Sequence, residues 1–260
     1  MIILIHSSKT MKLATTKSSS LRSPQLLSKA RSLDSYLKTL SLKQLEKSMH
    51  ISSPLAAKTA ALIAGWTDEP IKQGVAIDSF VGDIYSGLRA GSLSEDDRQY
   101  ADKTLRILSG LYGVIRPLDG IYPYRLEMGY LLPKAKYANL YKYWGRSIAK
   151  TLPADGLVVN ASAEEYTKAV LPYIDSKRVV TPKFLTKDPI TNEPKFVTVH
   201  SKISRGAYAR WLIKNRVNKL QDLNGFDDLN YQYSKALSTD SSPVYVCDSF
   251  GGLGLSIRLN

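Results

Sequence analysis

The sequence predicts a mixed α/β (α+β) fold in a single compact domain over residues 1–260, and three observations carry that prediction. Short apolar runs that suit buried strands alternate with segments of helical period. No internal repeat recurs and no Pro/Gly/Ser-rich linker divides the chain. At 260 residues with 43% hydrophobic side chains the chain can bury a sizeable core, which excludes disorder throughout.

Each element follows in order. Residues 1–5, MIILI, stop at the polar HSSKT, as a buried first strand does when it empties into a loop. That start lacks a basic n-region and is too short for a signal peptide. No apolar stretch nears the roughly 18 residues of a spanning helix, so no membrane is expected as partner. Cys247 is the single cysteine, which excludes an internal disulfide and fits a reducing compartment, so the expected address is cytoplasmic. Residues 18–28 are Ser-rich and basic and read as an exposed loop.

Two helix-period segments follow between residues 41 and 66: Leu42, Leu45 and Met49 share one face, and Leu55, Ala56, Thr59, Leu62 and Ile63 share another. Between them ISSP offers a Ser N-cap followed by Pro at a first helical position, which predicts a tight helix, turn, helix unit. Ser94 caps a further helix whose Glu95, Asp96 and Asp97 oppose the positive end of the dipole, with Gly110 as its terminator. Residues 157–159, LVV, read as a central strand that turns polar at Asn160 and enters the helix-like SAEEYTKAVL. PKFLTKDPITNEPKFVTVHSK alternates in both halves around a Pro and Asn turn and predicts a β-hairpin. A strongly basic helix then starts near Ser204, and SSPVYVCDSF adds a last short strand.

Lys and Arg outnumber Asp and Glu by 36 to 23, a formal net charge of +13. Such an excess suggests a polyanionic partner, nucleic acid ahead of an anionic membrane surface, although a generally basic soluble protein fits the total equally well. The excess is concentrated: residues 1–60 hold ten cations against two acids, and residues 201–220 hold six against none. On the basic helix Arg205, Arg210, Lys214 and Arg216 fall on at most two adjoining stripes, with Ala209, Trp211, Leu212 and Val217 on the rest.

Residues 106–128 gather three glycines, two prolines, three tyrosines and three arginines. Gly110 and Gly113 permit conformations that a side chain forbids, while Pro117 and Pro123 fix φ. The composition predicts a rigid irregular path that presents arginines to phosphate. HSSKT lacks the glycines of a phosphate loop, although Lys9 can still meet a single phosphate. His6, His50 and His200 have no metal-ligand spacing, so neither a metal nor a cofactor is expected. His6 and His200 both follow predicted strands and would converge if those strands are neighbours. Ser162, Glu164, Glu165 and Lys168 follow a strand end, where functional loops collect, yet no G-x-S-x-G surrounds Ser162, and a helix cap with an acidic first turn is the favoured reading.

GDIYSGL, SEDD, LRILSGLYGVIRPLDGIYPYRLEMG, LYKYWG, EEY and SRGAYARWLIKNR occur in that order, and through them the chain resembles the bacterial YaaA family of peroxide stress proteins. The resemblance runs from the first strand to LNGFDDLNY near the end. It implies a one-domain α/β fold peculiar to the family, with a positively charged cleft and a helix-hairpin-helix element used for double-stranded DNA. It also implies a role in surviving hydrogen peroxide by limiting free intracellular iron. The family's lysine and threonine after the first strand match Lys9 and Thr10, and Arg116, Arg125, Lys202, Arg205 and Gly206 lie inside matching motifs. The chain departs from the family at His6, Ser7 and Ser8, where Ser-Pro-Ala is expected, and at residues 160–163, Asn-Ala-Ser-Ala in place of Asn-Leu-Ala-Ser. ISSPLA also lacks the glycines of a standard hairpin loop.

These readings together predict a protein that holds duplex DNA through Lys9, Lys58, Arg106, Arg116, Arg125, Lys202, Arg205 and Arg210, helped by helix N-terminal amides at the hairpin. Contacts of that kind carry little sequence information. The alternative is an enzyme acting on a nucleobase, abasic DNA or a small anionic substrate, with Lys9, Asn160, Ser162, Glu165 and Lys202 as candidates and a lysine amine able to form a Schiff base. Three histidines and one cysteine make direct iron binding the weakest reading. No obligate protein partner is evident.

Overall fold

The apolar start becomes the strand Ile2–His6, at the middle of a five-stranded sheet in a computed structural model that describes residues 1–12 and 21–253. Across the sheet the order is Gly113–Ile115, Leu105–Ser109, Ile2–His6, Val158–Asn160, Val179–Val180. The first strand runs parallel to both neighbours, Ile3 opposite Leu105 and Ile2 opposite Val158. A parallel strand covered on both faces must be apolar at successive positions, and Ile2, Ile3, Leu4 and Ile5 are all buried.

The same rule corrects one expectation. The helix opened by Ser94 has the predicted cap, reciprocated by the Asp97 side chain, but it spans Glu95–Thr104 and ends before Gly110. LRILS, residues 105–109, is a strand buried at every position. A continuous apolar run carries no period of two, so sequence alone does not separate it from the end of a helix. The stretch 106–128 is accordingly core more than surface: Tyr112 and Tyr124 are buried, and a Cβ on Gly110 would stand 2.3 Å from the Leu126 carbonyl oxygen.

The predicted helix pair is present as Leu42–Met49 and Ser53–Gly65. His50 closes the first helix in the left-handed conformation (φ 51°), and Ser52 and Pro54 start the second. Leu45, Met49, Ala56, Thr59 and Ile63 are buried, whereas Leu42 stays half-exposed. The Ser-rich loop expected at 18–28 lies partly outside the described residues, and at its far end Leu27 already belongs to the helix Leu27–Leu37.

A second sheet has the order Pro194–Lys195, Lys183–Lys187, Val244–Cys247, Gln232–Tyr233. The hairpin is half as predicted: Lys183–Lys187 pairs antiparallel with only Pro194–Lys195. Of FVTVHSK only Phe196 and Val197 precede the helix Thr198–Lys214, which takes in the rest and begins six residues before the expected Ser204. Alternating β-branched residues imitate a strand there, and tertiary burial of Ser201, Ile203 and Ser204 overrides that local preference. The helix is no two-striped amphipath either, because Gly206 to Arg210 are buried in succession.

Helices Asp83–Leu88 and Thr198–Lys214 touch backbone to backbone through glycine. A Cβ on Gly87 would lie 1.9 Å from the Ile203 carbonyl oxygen, and one on Gly206 would lie 1.8 Å from that of Ile84. This close crossing sets Lys202 and Arg205 beside the end of the first strand. Among the described residues no helix is long and apolar enough to cross a membrane.

Candidate functional site

From the first strand the chain passes to Leu105–Ser109 on one side and later to Val158–Asn160 on the other. The carboxyl ends of parallel strands at such a switch form a natural crevice. Here a cleft of about 410 Å³ is lined by His6, Lys9, Gly82, Tyr85, Glu127 and Lys202, among others.

His6 ends the first strand, and its ring is held on three sides. The Ala163 backbone N–H donates to Nδ1 at 3.0 Å, and the Ser162 hydroxyl lies 3.2 Å from the same nitrogen. An amide can only donate, so Nδ1 is an acceptor, Ser162 donates to it as well, and the ring proton sits on Nε2. The ring stacks on Tyr166 at 4.8 Å, and the Tyr85 hydroxyl donates to the His6 carbonyl at 3.0 Å. Burial first, then the charges of Arg205 and Lys202, bring the imidazole pKa from 6.5 down to about 3. His6 is therefore neutral near pH 7, a fixed donor and a poor base.

Asn160 and Ser162 build this support. Asn160 Oδ1 accepts from the Ser162 amide at 3.1 Å while Nδ2 donates to Thr181 Oγ1 at 3.2 Å. Ser162 is buried with its hydroxyl engaged by an imidazole too acidic to take its proton, which disfavours it as a nucleophile.

At the mouth Lys9 and Lys202 are exposed and Arg205 is partly buried, its pKa lowered by that burial. Two carboxylates, Asp83 and Glu127, line the cleft together with Lys9 and Lys202. Arg125 Nη1 donates to the Lys9 carbonyl at 3.4 Å. Glu127 is buried in the wall; burial and then the nearby Glu165 raise its pKa, opposed by Lys9, a Tyr166 hydrogen bond and Arg125. Glu165 itself is exposed and accepts from the Gly129 amide at 2.9 Å.

Lys9, Arg125, Lys202 and Arg205 are thus brought together, and three other predicted arginines are not. Arg106 is buried, its Nη1 donating to the carbonyls of Leu105 (2.7 Å) and Asp102 (3.0 Å). Arg116 pairs with Asp119 at 3.0 Å, and Arg22 shares that carboxylate at 2.8 Å. Arg210 is buried and its Nη1 donates to the carbonyls of Leu88 and Arg89. Lys58 is exposed on the helix Ser53–Gly65. His200 does not converge with His6: it lies within a helix, 2.8 Å from Thr186 Oγ1 of the second sheet, and stacks on Phe250. Among the described residues no three His, Cys, Asp or Glu side chains gather as a metal site.

Sequence reasoning missed Tyr85, Glu127 and Tyr166. Glu127 and Tyr85 stand in the motifs PYRLEMG and GDIYSGL, but nothing local says that either reaches the first strand.

A family model described as peroxide stress protein YaaA matches residues 1–237, a span that contains the whole cleft. The chain is 52% identical over 258 residues to a UPF0246 protein of Salinispora tropica, covering 99% of this chain and 98% of that one. It is 39% identical over 258 residues to a UPF0246 protein of Ralstonia pickettii, covering 94% and 98%. A third relative, from Roseobacter denitrificans, is 38% identical over 231 residues, covering 86% and 89%.

Proposed function

The chain belongs to the peroxide stress protein YaaA family, and from that premise we propose that it serves peroxide defence in the cytoplasm by binding double-stranded DNA, with little sequence specificity, and limiting iron-driven damage. The observation that carries this reading is that Lys9 and Lys202 line one cleft and that Arg205 stands close enough for its charge to act, with that of Lys202, on His6 at the same strand end. Like charges held together at a partly desolvated site repel one another, and a polyanion relieves that repulsion while its condensed counterions are released. Arg125 extends the basic edge of the cleft. Lys58 and the N-terminal end of the helix Ser53–Gly65, which no Ser52 side-chain bond caps, supply the second, hairpin-like contact.

The test is binding of a fluorescent duplex at several salt concentrations. Log K is expected to fall with log salt by roughly 0.9 per phosphate neutralised, and Lys202→Ala and Arg205→Ala should each reduce that slope by about one. Absence of binding at low salt overturns the reading.

An enzyme acting on a nucleobase, abasic DNA or a small anion in the same cleft is the second reading, favoured by the buried Glu127 carboxyl beside Lys9. It requires a covalent adduct on abasic DNA after borohydride that Lys9→Ala or Lys202→Ala removes; no adduct from the wild-type protein retires it.

A further inference from the structure

The cleft and the duplex do not match in size. About 410 Å³ is the volume of a site for one small ligand, whereas a B-form duplex, with a major groove alone about 12 Å wide, can only lie across the mouth. A continuous strand would then place one singly charged phosphodiester near Lys9 and Lys202, and the interior donors would find no partner.

Those interior donors suit a more compact and more highly charged group. His6 has Nδ1 occupied by Ala163 and Ser162, so its remaining polar atom is the Nε2–H, and among the described residues no acceptor takes it. Lys9 and Lys202 line the same space and the charge of Arg205 reaches His6, so three cations act there alongside the carboxylates of Asp83 and Glu127. A terminal phosphate monoester carries about −1.5 to −2 charges and three acceptor oxygens on a tip narrow enough to enter, unlike a phosphodiester with substituents on both sides. Glu127 in the wall opposes an anion when ionised, and burial followed by the nearby Glu165 raises its pKa, which lessens that opposition.

We propose that the cleft receives the phosphate monoester of a DNA strand end, at a nick, gap or break, in preference to the unbroken backbone. The inference rests on the duplex-binding reading above and names which part of the DNA occupies the cleft. The remaining duplex lies over the mouth, where Arg125 faces its backbone.

Four fluorescent duplexes of one sequence test this: one intact, and three with the same one-nucleotide gap ending in a 5′-phosphate, in a 3′-phosphate, or in hydroxyls only. At fixed salt one phosphate-ended duplex should bind about tenfold or more tightly than the intact and hydroxyl-ended ones, and the two phosphate arms tell which end is read. Lys202→Ala, at an exposed position, should abolish that preference, and inorganic phosphate should compete away the preference while sparing the intact duplex. Equal affinity for all four, or tightest binding of the hydroxyl-ended gap, overturns the inference and leaves duplex binding standing. No binding of any duplex at low salt overturns both.

Discussion

At His6 a backbone amide decides the chemistry of a side chain. The Ala163 N–H makes Nδ1 an acceptor, and burial with two neighbouring cations makes protonation costly. The unfolded chain takes that proton near pH 6.5 and the folded protein only near about 3. The stability linked to His6 is therefore complete above pH 6.5 and is lost as pH falls through this window, at up to about 1.4 kcal/mol per pH unit. Urea unfolding of His6→Gln should show a flatter pH profile between those values; a profile parallel to wild type would refute the linkage. Glu127 has the opposite sign. Its folded-state pKa is raised, so the folded protein binds the proton more tightly and loses stability as pH rises through that value. Glu127→Gln should accordingly melt higher than wild type at pH 7 by calorimetry, and a lower melting temperature would mean that the ionised carboxylate is the stabilised form. His6 was legible as the residue that follows a strand, but its tautomer was not, because the amide and hydroxyl that set it lie about 156 residues away.

At the level of elements, glycine at a helix crossing positions the basic edge of the cleft. Gly206→Ala puts a methyl group against the Ile84 carbonyl, an atom that no rotamer change moves. The helices must separate, at a cost of about 1–3 kcal/mol or more in urea unfolding. Because Lys202 and Arg205 ride on that helix, DNA affinity should fall with it. Gly91→Ala, where nothing stands within 4 Å of the added carbon, is the control that should leave affinity unchanged. Unchanged affinity in Gly206→Ala would show that the crossing does not position the basic edge of the cleft. Local signals were enough for the Ser94 cap, the Pro54 start and the first strand, since each depends on contacts within one turn or one run. They failed at residues 105–109 and 197–203, where burial against distant elements overrides the local pattern.

For the whole molecule, the cationic excess divides into two populations. Arg22 and Arg116 converge on the fully buried Asp119, and Arg106 and Arg210 cap backbone carbonyls, so these charges serve the fold. Arg116→Ala should cost up to about 3 kcal/mol by leaving a buried carboxylate short of a partner, while the salt slope of DNA binding stays at the wild-type value. A reduced slope would return Arg116 to the DNA-facing set.

The sequence by itself determined the mixed α/β class, the apolar central strands, the main helix caps, the basic excess and, through its motifs, the family. Those properties are sums over residues or contacts between near neighbours. Which cations remain free was decided only by the tertiary structure. Arg210 reaches a carbonyl 122 residues away, whereas Arg205, five positions earlier on the same helix, faces the cleft end of the first strand. A guanidinium is the same group in either place, and only the packing around it determines whether it is spent on the fold or left for a ligand.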